Sequence, residues 1–168
     1  GPFDPSQGDF ATAGTVEYRL GVREPGLHLS LGYGRFDELR LASWWRPASA
    51  SEGTFAAVAF NQGDGFGPNR SFRNGTAMGR WEGATDDRRV RYSLMAFAAT
   101  GTWRTAGVVR ADDVELGRLS ACGPSRDEQF FCFYDPNQGG SSSQAGLVAR
   151  LGHHRPREVL ETTVFLRR

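Results

Sequence analysis

The sequence predicts an all-β fold, an antiparallel meander of about eight strands. Three observations carry the prediction. Apolar and polar residues alternate with period 2 in run after run, and a 3.6-residue period does not recur. Within most runs the charged residues fall on one parity, which leaves the other face of each strand uncharged. Glycine (22 residues) and aromatic side chains (12%) are abundant, as a turn-rich β fold requires.

The first run sets Val16, Tyr18, Leu20 and Val22 against Glu17, Arg19 and Arg23. The second sets Leu27, Leu29, Leu31 and Tyr33 against His28, Ser30 and Gly32. In the third, Leu39, Leu41, Ser43 and Trp45 oppose Glu38, Arg40 and Trp44. A fourth run covers Thr54 to Asn61. A fifth, Gly75 to Glu82, has Ala77, Gly79 and Trp81 opposite Met78, Arg80 and Glu82. A sixth, Val90 to Thr100, has Tyr92, Leu94, Ala96 and Ala98 opposite Arg91, Ser93 and Phe97. In the seventh, Ala145, Leu147, Ala149 and Leu151 oppose Val148 and Arg150; in the last, Leu160, Thr162, Val164 and Leu166 oppose Glu161, Thr163 and Arg167.

Both a soluble sheet with a dry interior and a sheet with lipid on one side sort their charges by parity. The apolar faces distinguish the two a little further. Ala96, Ala98, Ala145 and Ala149 make them thin for a close-packed core and adequate against fluid lipid. No stretch approaches the roughly 18 apolar residues of a membrane helix, but a membrane-spanning strand needs only about 10, with alternate ones apolar. Long and short connections alternate. The long ones are 62–74 and a structureless loop of roughly 40 residues, 101–143; the short ones are 83–89 and 153–157. Outer-membrane barrels, with long outside loops and short periplasmic turns, have this rhythm.

A formal net charge of +1 argues against the clustered basic surface of a nucleic-acid-binding domain. All 20 basic residues are arginine, with no lysine and no isoleucine, a mark of GC-rich coding. No Ser–His–Asp, Cys–His or paired-carboxylate constellation marks a catalytic centre, so no enzymatic activity and no cofactor are expected. His153 and His154, adjacent on a strand, point to opposite faces and do not chelate together. Asp112, Asp113 and Glu115 read as a solvated loop face, with a cation site as the alternative. Gly63-Asp64-Gly65-Phe66-Gly67 lacks the lysine and the strand–turn–helix setting of a phosphate loop. Cys122 and Cys132, the only cysteines, stand ten apart in the longest loop. In an oxidising compartment they are candidates for a disulfide, with two free thiols as the alternative; two sulfurs alone do not hold zinc. Trp44, Trp45, Trp81 and Tyr33 lie near strand ends, either as an interfacial aromatic girdle or as packing residues.

Residues 7–14 read Gln-Gly-Asp-Phe-Ala-Thr-Ala-Gly, directly ahead of the first run. The stretch Gly8, Asp9, Phe10, Ala11, Thr12, Ala13 and Gly14 resembles the plug-to-barrel junction of the TonB-dependent outer-membrane receptors, and Gly1-Pro2-Phe3 fits the same pattern. Asn61-Gln62-Gly63-Asp64-Gly65-Phe66 is similar to a loop after an early barrel strand in that family. Gly101-Thr102-Trp103 and Phe133-Tyr134-Asp135-Pro136-Asn137-Gln138-Gly139-Gly140-Ser141-Ser142-Ser143 resemble the first long surface loop of one subgroup. Here Gln144-Ala145 stands where that subgroup carries Arg-Tyr.

The resemblance implies that residues 1–24 are the end of a plug domain with its last strand. Residues 25–168 would then be the first seven or so strands of a transmembrane barrel of about 22 strands, left incomplete. Both ends of the chain look cut, as expected of a fragment. The resemblance further implies a bacterial outer-membrane location, membrane lipid around the barrel, and TonB as partner of the full-length receptor, whose binding box this chain lacks. The expected ligand is a scarce small molecule or metal chelate, such as an iron–siderophore complex or cobalamin. Trp103, Arg104 and Tyr134 in the long loop are the candidate ligand contacts. The rival expectation is a self-contained small β-barrel, lipocalin-like or an eight-strand membrane barrel.

Overall fold

The computed structural model describes residues 20–119, 122–155 and 158–168. Among the described residues, seven strands form one sheet in sequence order. They are β1 (Gly26–Tyr33), β2 (Leu39–Arg46), β3 (Phe55–Gly63), β4 (Phe72–Ala84), β5 (Val90–Arg104), β6 (Gly139–Arg155) and β7 (Glu158–Arg167). Every neighbouring pair is antiparallel. Seven of the expected runs are thus strands of an antiparallel meander. The first run lies largely outside the described residues, and its described part, Leu20 to Val22, is not strand.

The sheet is open. Among the described residues β1 and β7 each pair with one neighbour only, so the chain does not close on itself as a small barrel would. The strands lengthen along the chain, from 8 residues in β1 to 15 in β5 and 17 in β6. That growth shortens the expected loops. The ladder between β3 and β4 continues to Gly63 and Phe72, and the ladder between β5 and β6 to Arg104 and Gly139, because the polar and glycine-rich residues there still satisfy their backbone groups by pairing.

Three connections leave one rim of the sheet, here the loop rim: 34–38, 64–71 and 105–138. The opposite rim, the turn rim, carries 47–54, 85–89 and the link from β6 to β7. In the turn 85–89, Thr85 donates its hydroxyl to Asp87 at 2.6 Å, and Arg88 takes a left-handed φ of 55°.

The connection 105–138 is not structureless. It folds two short helices, α1 (Ala111–Glu115) and α2 (Arg126–Phe130). Ser125 caps α2 with a capping box closed by Glu128, which satisfies two N-terminal amides. Val114, Leu119 and Cys132 form a small buried cluster flanked by Val109 and Cys122. The described residues of this loop thus bury a small core of their own.

Candidate functional site

The two faces of the sheet differ in kind. The outer face is built by Leu27, Leu29 and Leu31 on β1, Leu39, Leu41 and Trp45 on β2, and Ala56, Val58 and Phe60 on β3. It continues through Ala77 and Trp81 on β4, Tyr92, Leu94, Ala96 and Ala98 on β5, Ala145 to Leu151 on β6, and Leu160 to Leu166 on β7, at alternate positions. Most of these side chains stand in the open: Leu29 is 72% exposed, Leu31 74% and Leu166 71%, while Leu39, Phe60 and Tyr92 are half-buried. Burying one such side chain is worth about 1.5–3 kcal/mol. A sheet that leaves a face of them in water forgoes most of its hydrophobic stabilisation. Among the described residues, charge on this face is confined to its margins: Arg73 and Arg104 toward the loop rim, Arg168 at the chain end, and the Arg155–Glu158 pair at the turn rim.

The apolar band crosses the strands obliquely. One ladder row runs Trp45–Ala56–Gly79–Ala96–Leu147–Leu166. On β2 this row is the turn-rim end of the apolar stretch Leu39–Trp45; on β7 it is the loop-rim end of Leu160–Leu166. Across five strand spacings the band therefore shifts by its own width. With about 4.8 Å between strands and about 3.3 Å per residue, its tilt is about 40°. Beyond its loop-rim margin the outer face turns polar at Gln62, Arg73, Thr100, Thr102, Ser141 and Ser143.

Aromatic side chains border the band. Trp45, Trp81 and Tyr92 lie toward the turn rim, with the rings of Trp81 and Tyr92 5.1 Å apart, and Tyr33 lies at the loop-rim end of β1. Trp44 is not part of this border. It faces the other side and stacks on His28, with centroids 5.4 Å apart and planes within 6°.

The inner face carries the charges. Arg80, Glu82, Arg91, Arg150 and Glu161 line a cavity of about 620 Å³ near the turn rim. Arg80 pairs with Glu82 at 2.8 Å, and Ser51 donates to Glu82 at 2.6 Å. Toward the loop rim, Asn61 donates to Asn74 at 3.0 Å and Arg167 to Gln144 at 3.1 Å.

The loops dock on one another. Asn69, at φ 53°, donates its side-chain amide to the carbonyls of Thr105 (2.8 Å), Asp135 (3.3 Å) and Gln138 (3.3 Å). Arg70 lies 5.0 Å from the Phe66 ring centroid and 5.9 Å from that of Phe131, and donates to the Phe131 carbonyl at 3.3 Å. Phe66 and Phe131 meet edge to face at 6.4 Å. Cys122 and Cys132 are joined as a disulfide, with Cα atoms 5.6 Å apart, and Cys132 is only 2% exposed.

The three candidate ligand contacts separate. Trp103 and Arg104 are neighbours at the end of β5 and point to opposite faces; both line a cavity of about 730 Å³ with Asp37, Asp64 and Arg73. The Arg104 guanidinium also holds the Pro136 carbonyl at 2.8 Å. Tyr134 lies apart from that cavity. Its hydroxyl donates to Asp113 at 2.6 Å and accepts the Arg110 amide at 3.1 Å. The Tyr134 hydrogen bond and then that of Arg118 hold the Asp113 carboxyl below its ordinary range. The same Asp113 bond raises the Tyr134 phenol. Asp112 pairs with Arg110 and Asp113 with Arg118, so these carboxylates brace the loop. His153 and His154 fall on opposite faces of β6.

The junction residues Gly8 to Gly14 lie outside the described residues. Asn69 and Arg70, which carry the loop docking, were not singled out in the sequence; Pro68-Asn69 is a turn signal, but nothing local names the distant carbonyls it reaches. No family profile, curated protein or solved structure matches the chain.

Proposed function

We propose that this chain forms part of the wall of a bacterial outer-membrane β-barrel, of the TonB-dependent receptor kind, that recognises a scarce small molecule or metal chelate outside the cell. The carrying observation is the oblique apolar band on the outer face, free of charge between its margins. Strands of membrane barrels tilt by about 35–45°. A lipid layer crossed at that tilt needs a band that shifts from strand to strand, as this one does. A soluble partner imposes no such slant. The aromatic border at the turn rim and the polar extension at the loop rim fit one interface close to the short turns, with the loops projecting outward.

In this reading the open edges of β1 and β7 are where further barrel strands pair, since an unpaired edge is a template for another strand. The cavity shared by Trp103, Arg104 and Arg73 supplies cations and an indole on the outside for a ligand. The protein's part is recognition and gated passage, with no covalent chemistry. TonB drives the full receptor and acts outside this stretch.

The test is depth-resolved quenching by brominated lipids of single-tryptophan variants in vesicles. Trp45 and Trp81 should be quenched strongly and Trp103 weakly. A chain that is monomeric in buffer without detergent, or equal quenching at all three positions, overturns the reading.

A further inference from the structure

The outer face carries a trough of about 690 Å³, separate from the cavity of Trp103 and Arg104. Its floor is laid by Gly75 and Ala77 on β4, Ala98 on β5 and Ala145 on β6, none with more than a methyl group. Val58 and Phe60 on β3 rise on one side, Leu147 on β6 and Leu166 on β7 on the other. Between such walls a methylene chain meets atoms on three sides, where a flat face would offer one. Each added contact gains dispersion energy.

The end of the trough toward the loop rim is cationic and rich in hydroxyls. Arg168, just past β7, is paired with Ala145 by two backbone hydrogen bonds of 3.0 and 3.1 Å, and it lines the trough together with Thr100 and Ser143. Arg73 takes the next outer-face position beyond Gly75 on β4, with Thr102 and Ser141 beside it in the ladder. Both arginines are exposed. The outer-face positions between them, Thr100, Thr102, Ser141 and Ser143, are hydroxyl donors and not carboxylates. Guanidinium and hydroxyl donors suit phosphate oxygens. An apolar trough that opens into such a mouth matches the two halves of a lipid, the chain below and an anionic head above.

We propose that this trough holds a phosphate-bearing lipid. An acyl chain lies along Gly75, Ala77, Ala98 and Ala145; Arg168, Thr100 and Ser143 bind the phosphate, with Arg73 as the flanking cation. Such a site rests on the lipid-facing band proposed above and adds one fixed lipid position to it. The band alone accepts any acyl chain, whereas the mouth selects the anionic head.

Electron spin resonance of spin-labelled lipids, with the full chain in phosphatidylcholine vesicles, tests it. Spin-labelled phosphatidic acid should enter the motionally restricted shell with about fivefold preference over spin-labelled phosphatidylcholine, the worth of about one arginine near an anionic head. Arg168→Gln together with Arg73→Gln should bring the two lipids level. Ala98→Phe, which fills the trough and keeps both cations, should do the same, while Arg91→Gln on the inner face should leave the preference intact. Equal restriction of the two lipids by the unaltered chain, a preference that survives either change at the trough, or one that Arg91→Gln also abolishes, overturns the proposal and leaves the lipid-facing band standing. Restriction of neither lipid, as when a second copy of the chain covers the face, overturns both.

Discussion

The side-chain amide of Asn69 reaches the carbonyl of Thr105 at 2.8 Å, and this bond ties the connection after β3 to the one after β5. The same amide nitrogen lies within 3.3 Å of the carbonyls of Asp135 and Gln138, where that second connection returns to β6. One residue thus gathers both ends of the longest loop. Asn69→Ala should free the loop by about 1 kcal/mol, the net worth of a hydrogen bond or two. Hydrogen exchange between Thr105 and Gln138 should quicken several-fold while the strands stay protected. Unchanged exchange there would mean that the loop holds itself without Asn69. Asn69→Gly, which relieves the positive φ, should not restore protection, because it brings back no donor.

The disulfide acts inside the loop's own core. Cys132 is buried with Val114 and Leu119, so replacing both cysteines by serine removes a covalent closure and buries a hydroxyl. The loop should lose about 2–3 kcal/mol of local stability. Tryptic cleavage after Arg118 should accelerate, with the far-ultraviolet signal of the sheet unchanged. Loss of the sheet signal would show that the loop core supports the fold as a whole.

Asp113 gives the loop a pH dependence whose sign is set by its partners. Its carboxyl is held below its ordinary range by Tyr134 first and Arg118 second. A lowered folded pKa contributes stability above the unfolded value, about 3.9, and that contribution is lost as pH falls through the folded value. Loop exchange in the native chain, corrected for intrinsic rate, should therefore rise as pH drops below about 4. The raised Tyr134 phenol works in the opposite direction: its contribution is present below about 10 and is lost as pH climbs through the folded value. Tyr134→Phe should flatten the acid limb and abolish the alkaline one. An alkaline limb that survives in the variant would assign it to another group.

The outer band makes a sharper demand. Ala96 lies within it on β5, whereas Thr76 on β4 faces inward. In lipid vesicles, Ala96→Arg should cost about 2–4 kcal/mol of folding stability by urea titration, and Thr76→Arg much less. Equal costs at the two positions would remove the distinction between a lipid face and a lumen face.

Much of the sheet was legible because its signal is local. Trp44 and Trp45 are adjacent, and parity alone put one on each face; the structure has Trp44 on His28 and Trp45 at the border of the band. The ladders ran further than the alternation did, because Gly139 to Ser143 pair through backbone without any apolar pattern to announce it. The helices of the long loop were missed, although Ser125 and Glu128 form a readable capping box. Tyr134, singled out for its aromatic character, is spent on Asp113, a partner that no spacing rule pairs with it.

The sequence by itself determined the strands, their order and the sorting of charge from apolar residues on each, because alternation is written residue by residue in the chain. The tertiary structure alone decided how those strands are staggered. Register is a relation between strands, and only when Trp45 is matched through Ala56, Gly79, Ala96 and Leu147 to Leu166 does the apolar face become a slanted band. The same holds for the bond from Asn69 to Thr105 and for the passage of Leu20 beneath Arg80. Each joins residues far apart in the chain, and chain distance carries no record of which partner the fold brings near.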